Sequence, residues 1–104
     1  MKARLLLKRR IILGEGVFSE LLLWQVPERV PGSLHNYKYS LALVANGDCV
    51  MRYDNEAGKG DHRHYGRLEQ PYIFVTLDKL LQDFEHDIER YLLEYRHTEG
   101  RPPE

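Results

Sequence analysis

Period-two alternation marks the first half of the chain, and a helical period marks its last third. Ala3, Leu5, Leu7, Ile11 and Leu13 fall on one side of an extended segment, broken only by Arg9, while Lys2, Arg4, Lys8 and Arg10 fall on the other. That pattern predicts a half-buried strand over Arg4–Leu13. Gly14-Glu15-Gly16 reads as a turn into a second strand, Val17–Val26. Its run Leu21-Leu22-Leu23-Trp24 is apolar on both faces, which predicts a central strand covered on both sides. Two prolines and a glycine make 27–33 a loop, because proline cannot serve a central ladder. Leu34–Ala45 and Asp48–Asn55 read as strands joined at Asn46-Gly47, a pair suited to the positive φ angles of a type I′ turn. Glu56–Gln70 is polar without clear period and predicts a loop, after which Tyr72–Val75 reads as a short last strand.

From Leu77 onward, Leu80, Leu81, Phe84, Ile88, Tyr91, Leu92 and Tyr95 recur at helical spacing. Thr76 is a suitable N-cap, Asp78 suits the positive end of the helix dipole, and Gly100 with Pro102-Pro103 ends the helix. Strands first and helix last predict an α+β fold: a mostly antiparallel sheet of about five strands with one long C-terminal helix packed on it. The expected organisation is one domain over 1–97 and a frayed tail over 98–104.

Composition narrows this reading. A chain of 104 residues supports one hydrophobic core, and 42% hydrophobic with 30% charged residues is a globular composition. No apolar run is long enough to span a bilayer, and the basic start carries only three consecutive apolar residues, too few for a secretory signal. A cytoplasmic protein without membrane contact is expected. Cys49 is the sole cysteine, which excludes an internal disulfide and a cysteine-built zinc site. Its apolar neighbours predict an inert core thiol. The net charge of −1 does not advertise nucleic-acid binding, but residues 1–67 carry +4 and residues 68–104 carry −5. The basic part can meet phosphates, or the acidic part can simply be a solvated helix face.

Candidate chemistry concentrates in Arg52-Tyr53-Asp54-Asn55-Glu56-Ala57-Gly58-Lys59-Gly60-Asp61-His62-Arg63-His64, where titratable groups surround a Gly-x-Gly bend after a strand end. Imidazoles exchange protons near neutral pH. RNA carries its own nucleophile, the 2′-hydroxyl, so a base, an acid and a cation beside the phosphate suffice for cleavage without metal or other cofactor. His62 and His64 suit base and acid, Lys59 or Arg63 the cation, and Asp61 or Asp54 the group that orients a histidine. Gly58 and Gly60 would let backbone amides approach a phosphate. A divalent metal held by Asp54, Asp61, His62 and His64 is the competing reading. No serine sits in a nucleophile elbow, and Gly58-Lys59-Gly60 lacks the spacing of a Walker loop. Tyr37 and Tyr39 can stack bases or fill the core. Trp24 reads as core, and His35, His86 and His97 as surface groups. Lys8 and Arg10, with Lys2 and Arg4, can hold RNA phosphates or pair with acids such as Glu20 on a neighbouring strand.

The segments Val30-Pro31-Gly32-Ser33-Leu34-His35-Asn36-Tyr37-Lys38-Tyr39, Arg52-Tyr53-Asp54-Asn55 and Gly58-Lys59-Gly60-Asp61-His62-Arg63-His64 resemble the TumE toxin family, in the family's order, within a similarity from about Lys2 to Tyr95. The resemblance implies a toxin encoded beside a helix-turn-helix antitoxin that binds and silences it, with ribonuclease as the expected activity. The family motif falls on Tyr53, Asp54, Asn55, Lys59, Asp61, His62 and His64. With RNA as substrate, Arg52, Tyr53, Asn55 and Arg63 would join Lys8 and Arg10 in holding it. A non-enzymatic binder of nucleic acid or ribosome stays open, as does a homodimer.

Overall fold

The computed structural model describes residues 2–99, with side chains through 94. Six strands, β1 (Arg4–Gly14), β2 (Val17–Gln25), β3 (Tyr37–Ala45), β4 (Asp48–Asp54), β5 (His62–Tyr65) and β6 (Leu68–Pro71), precede one helix, α1 (Leu77–Glu99). The strands form a single sheet in chain order, and each pairs antiparallel with the next. The fold is α+β, a six-stranded antiparallel sheet and a C-terminal helix. The chain divides into two compact units, 1–73 with the sheet and 74–104 with the helix.

Register assigns the two sheet faces, because residues directly opposite each other share a face. One face carries Leu23, Tyr39, Leu41, Leu43, Met51 and Tyr53, all at 3% exposure or less. The other is more open. One of its cross-strand rows runs Arg10–Glu20–Ala42–Arg52–His64–Glu69, and the next runs Lys8–Leu22–Ser40–Asp54–His62. On β2 the open face carries Leu22 and Trp24, which are half-buried, so this strand is not sealed on both sides and Trp24 is not core.

Three register shifts interrupt simple alternation, one of them between Ile12 and Gly14 at the end of β1, and the other two reassign faces. Leu5 pairs with Trp24 but Leu7 pairs with Leu23. This slip puts Arg4 on the face of Leu7 and Arg9, and Leu5 on the face of Lys8 and Arg10, so the expected two-sided β1 does not form. On β4, Met51 pairs with Leu43 but Cys49 pairs with Val44. The extra residue, Val50, turns Cys49 to the open face, where it is an exposed free thiol, not a core one.

The stretch expected to be a loop contains the β5–β6 hairpin. Its turn uses Gly66 at φ 60°, the positive angle that a type II′ turn asks of its first central residue. The expected strand Tyr72–Val75 is not one. β5 ends its pairing at His62 opposite Pro71, after which the Tyr72 amide donates to the Asp61 carbonyl, and Ile73 and Val75 are exposed. The third strand begins at Tyr37, not Leu34, because Asn36 closes the preceding loop: its backbone pairs with Val26 and its amide donates to the carbonyls of Val26 and Pro27. Asn46 and Gly47 take positive φ as expected of their turn.

In the helical unit, the Thr76 hydroxyl accepts from the Lys79 amide, as an N-cap does. Leu80, Phe84 and Asp87 form its buried stripe, and Arg90 donates to Asp87. Thr98 and Glu99 are still helical, while the expected end at Gly100 and the tail over 100–104 lie outside the described residues. No helix among the described residues is long and apolar enough to cross a membrane.

Two glycines interlock the 30–36 loop with the turn before β5. Gly32 has φ +88°, and a Cβ there would lie 2.4 Å from the Gly60 nitrogen. Gly58 also has positive φ, but a Cβ there would meet only Pro31 at 3.9 Å. Both alanine substitutions strain the backbone, yet only Gly32→Ala adds a backbone collision. Gly32→Ala is expected to destabilise the protein by about 2–3 kcal/mol and Gly58→Ala by about 1 kcal/mol. Urea unfolding midpoints of the two variants check this ordering.

Candidate functional site

β5 is extended, so its side chains alternate. Pairing of Asp54 with His62 and Arg52 with His64 sets both imidazoles on the open face, 6.5 Å apart between ring centroids. They are close enough to reach one phosphate and too far apart to bond each other. His62 Nδ1–H donates to the Gly60 carbonyl at 2.8 Å, which fixes the ring and leaves Nε2 with the lone pair in the neutral tautomer. Glu69 enters from β6 opposite His64. Its Oε1 lies 2.9 Å from Lys59 Nζ, 3.9 Å from His62 Nε2 and 4.0 Å from His64 Nε2. The hydrogen bond from Lys59, then the charges of Lys59, His64 and His62, hold the Glu69 carboxyl below the usual carboxylate range. An open pocket of about 380 Å³ lies beside this cluster, and Cys49, Arg52, Asp54, Lys59 and His64 are among its lining residues. Asp54 is 9% exposed and accepts no side-chain hydrogen bond among the described residues.

Asp61 belongs elsewhere. Its Oδ1 accepts from Ser33 Oγ at 2.7 Å, and its Oδ2 accepts from His35 Nε2 at 2.7 Å and Tyr39 Oη at 2.6 Å. His35 Nδ1 accepts from the Tyr37 amide, and Ser33 Oγ accepts from Asn55 Nδ2. Asn55 also donates to the Tyr37 carbonyl and accepts from the Tyr39 amide. These bonds clasp the 33–39 segment to both ends of the 55–61 loop. His35 is therefore no surface group, since its side chain is 12% exposed. Burial, then the hydrogen bond to Asp61, pushes the Tyr39 phenol far above its ordinary range.

The expected site residues thus separate into two groups. His62, His64, Lys59, Arg52 and Asp54 come together on the open face. Lys8 and Arg10 share that face four strands away, on the order of 19 Å, and Arg10 is bound to Glu20 at 2.9 Å and stacked over Phe18. Asp61, Asn55, Tyr53 and Arg63 do not join them. Asn55 and Tyr53 are fully buried, and Arg63 points to the opposite face, where its guanidinium donates to the Tyr53 hydroxyl at 3.4 Å. Gly60 is buried against Gly32, so its amide is not offered to a phosphate. Among the described residues no three His, Cys, Asp or Glu side chains gather as a metal-holding group. Glu69 was not legible as a site residue, because it joins the histidines only through the β5–β6 register. His86 is exposed as expected, and the side chain of His97 lies outside the described residues.

Comparison with known proteins sets the chain among the toxins of toxin–antitoxin modules. The family model described as Toxin TumE matches residues 2–92, and the chain belongs to that family. It is accordingly a toxin of a toxin–antitoxin module, with an antitoxin as its partner. No curated protein and no solved structure matches the chain.

Tyr39 gives the clasp a pH signature. Its raised pKa favours the neutral phenol in the folded state, so this stabilisation is present in full below the ordinary tyrosine value of about 10 and is lost as pH rises above it. Tyr39→Phe is expected to lower stability by about 1–2 kcal/mol at pH 7 and to flatten the decline above pH ~10. Chemical denaturation of both proteins between pH 7 and 11 measures the two effects.

Proposed function

We propose that this toxin is a metal-independent endoribonuclease in which His62 and His64 carry the proton transfers. The observation that carries the reading is the pair of imidazoles 6.5 Å apart on the open sheet face, with Lys59 and Arg52 beside them. The His62 Nε2 lone pair takes the proton of the RNA 2′-hydroxyl, and the 2′-oxygen attacks phosphorus. The bond from phosphorus to the 5′-oxygen breaks, and His64 gives that oxygen a proton. The products are a 2′,3′-cyclic phosphate and a 5′-hydroxyl, and water returns the protons to their starting places. Lys59 and Arg52 offset the charge that grows on the phosphoryl oxygens. Glu69 gives the imidazolium ions an opposite charge and positions Lys59. Asp54, beneath the pocket, is an acceptor for a ribose or base donor.

The partner in this reading is a helix-turn-helix antitoxin, and the site of action is the cytoplasm. Lys8 and Arg10, on the same face, extend the electrostatic track for the RNA backbone. That placement also favours a second reading, a non-enzymatic nucleic-acid or ribosome binder, in which the histidines are dispensable and the basic strand is not.

His62→Ala and His64→Ala should each lower RNA cleavage by about 10²–10⁴-fold, and the double variant should fall little further, because the two act in one step. Folding monitored by circular dichroism should be unchanged. Full toxicity of both single variants would exclude the acid–base assignment. Activity should persist in EDTA, and loss in EDTA with rescue by Mn²⁺ would move the chemistry to a metal site built on Asp54 and the histidines.

A further inference from the structure

β1 is an edge strand of eleven residues, and among the described residues no backbone hydrogen bond reaches its outer side. A row of unpaired amides and carbonyls of this length is a template for one more strand. Its aliphatic side chains stand in solvent on both faces: Leu5 is 44% exposed, Leu6 39%, Ile11 37% and Ile12 71%. The other exposed apolar residues lie scattered in loops, at the start of β6 and in the helix, whereas these four lie along one edge.

Charge selects the occupant. The first fourteen residues contain Lys2, Arg4, Lys8, Arg9 and Arg10 and no acid. The bulge at Leu6 distributes these cations, with Lys8 and Arg10 on one face and Arg4 and Arg9 on the other. A strand laid on this edge therefore meets cations whichever way its own side chains alternate. A second copy of the chain is disfavoured, because antiparallel β1–β1 pairing sets two copies of a segment with five cations and no acid side by side. RNA is disfavoured by the four aliphatic side chains, which offer it nothing. We infer that the β1 edge is a docking strand for an acidic, extended segment of a partner protein that alternates carboxylate and aliphatic residues. The antitoxin is the natural owner of such a segment, and its carboxylates on Lys8 and Arg10 would occupy the outer end of the face proposed for RNA. The competition with RNA rests on that proposal; the docking does not.

The test uses the full chain and a blocked eleven-residue peptide alternating glutamate and valine, with a lysine–valine counterpart. The acidic peptide should protect the outward-pointing amides between Leu5 and Ile12 from hydrogen exchange and bind at least tenfold tighter than the basic one, with an affinity that falls as salt rises. Arg4→Glu with Arg9→Glu, which leaves Lys8 and Arg10 in place, should cut the preference for the acidic peptide to threefold or less. Equal protection by both peptides, or by neither, overturns the inference. Self-association in sedimentation with β1 already protected assigns the edge to a second copy, and protection by a uridine oligonucleotide in the peptide's place assigns it to RNA; either result overturns it. None of these measurements reads cleavage, so they stand apart from the nuclease assignment.

Discussion

One carboxylate fixes where the site begins. Asp61 takes two hydroxyls and an imidazole from the 33–39 segment, and its carbonyl takes the amide of Tyr72. Held on both sides, it sets the first residue of β5, and strand parity does the rest. Asp61 and Arg63 turn one way, and His62 and His64 turn the other. A slip of one residue here would turn the imidazoles to the face of Tyr53 and the arginine to the open face. The glycine pair at 32 and 60 and the amide of Asn55 serve the same end, since they bring the two loops within reach of each other.

The division of labour that follows is physical. Groups whose hydrogen bonds are saturated in low-exposure surroundings, as in the clasp of Ser33, His35, Tyr39, Asn55 and Asp61, hold position. Groups that keep an open valence, as with His62 Nε2 on the open face and the Asp54 carboxylate at the pocket, are available to a substrate. Lys59 and Glu69 lie between the two sets: they neutralise each other on the surface and bring a cation and an anion beside the imidazoles without burying either.

Much of the fold was legible in the sequence. β1 to β4 and α1 follow from alternation, from Asn46-Gly47 and from helical spacing, because each has enough apolar residues to show its period. β5 and β6 were not legible. Four-residue strands made of His62-Arg63-His64-Tyr65 and Leu68-Glu69-Gln70-Pro71 carry no hydrophobic alternation, and Gly66-Arg67 is a weak hairpin signal. With that hairpin read as a loop, nothing could separate Asp61 from His62, or bring Glu69 to the histidines. The bulges were equally hidden, so the faces of Arg4 and Cys49 could not be assigned from parity alone. What the sequence did locate was the neighbourhood: the two imidazoles, Lys59, Arg52 and Asp54 lie together.

In the proposed reaction, imidazoles on the open face turn RNA's own 2′-hydroxyl on its phosphate. The chemical ends left on cleaved RNA test it most directly. Mass spectrometry of a short synthetic oligoribonucleotide treated with the purified toxin should find 2′,3′-cyclic phosphate and 5′-hydroxyl termini, and a substrate with 2′-O-methyl at each position should stay intact. Fragments ending in 3′-hydroxyl and 5′-phosphate, or cleavage of the methylated substrate, would contradict it.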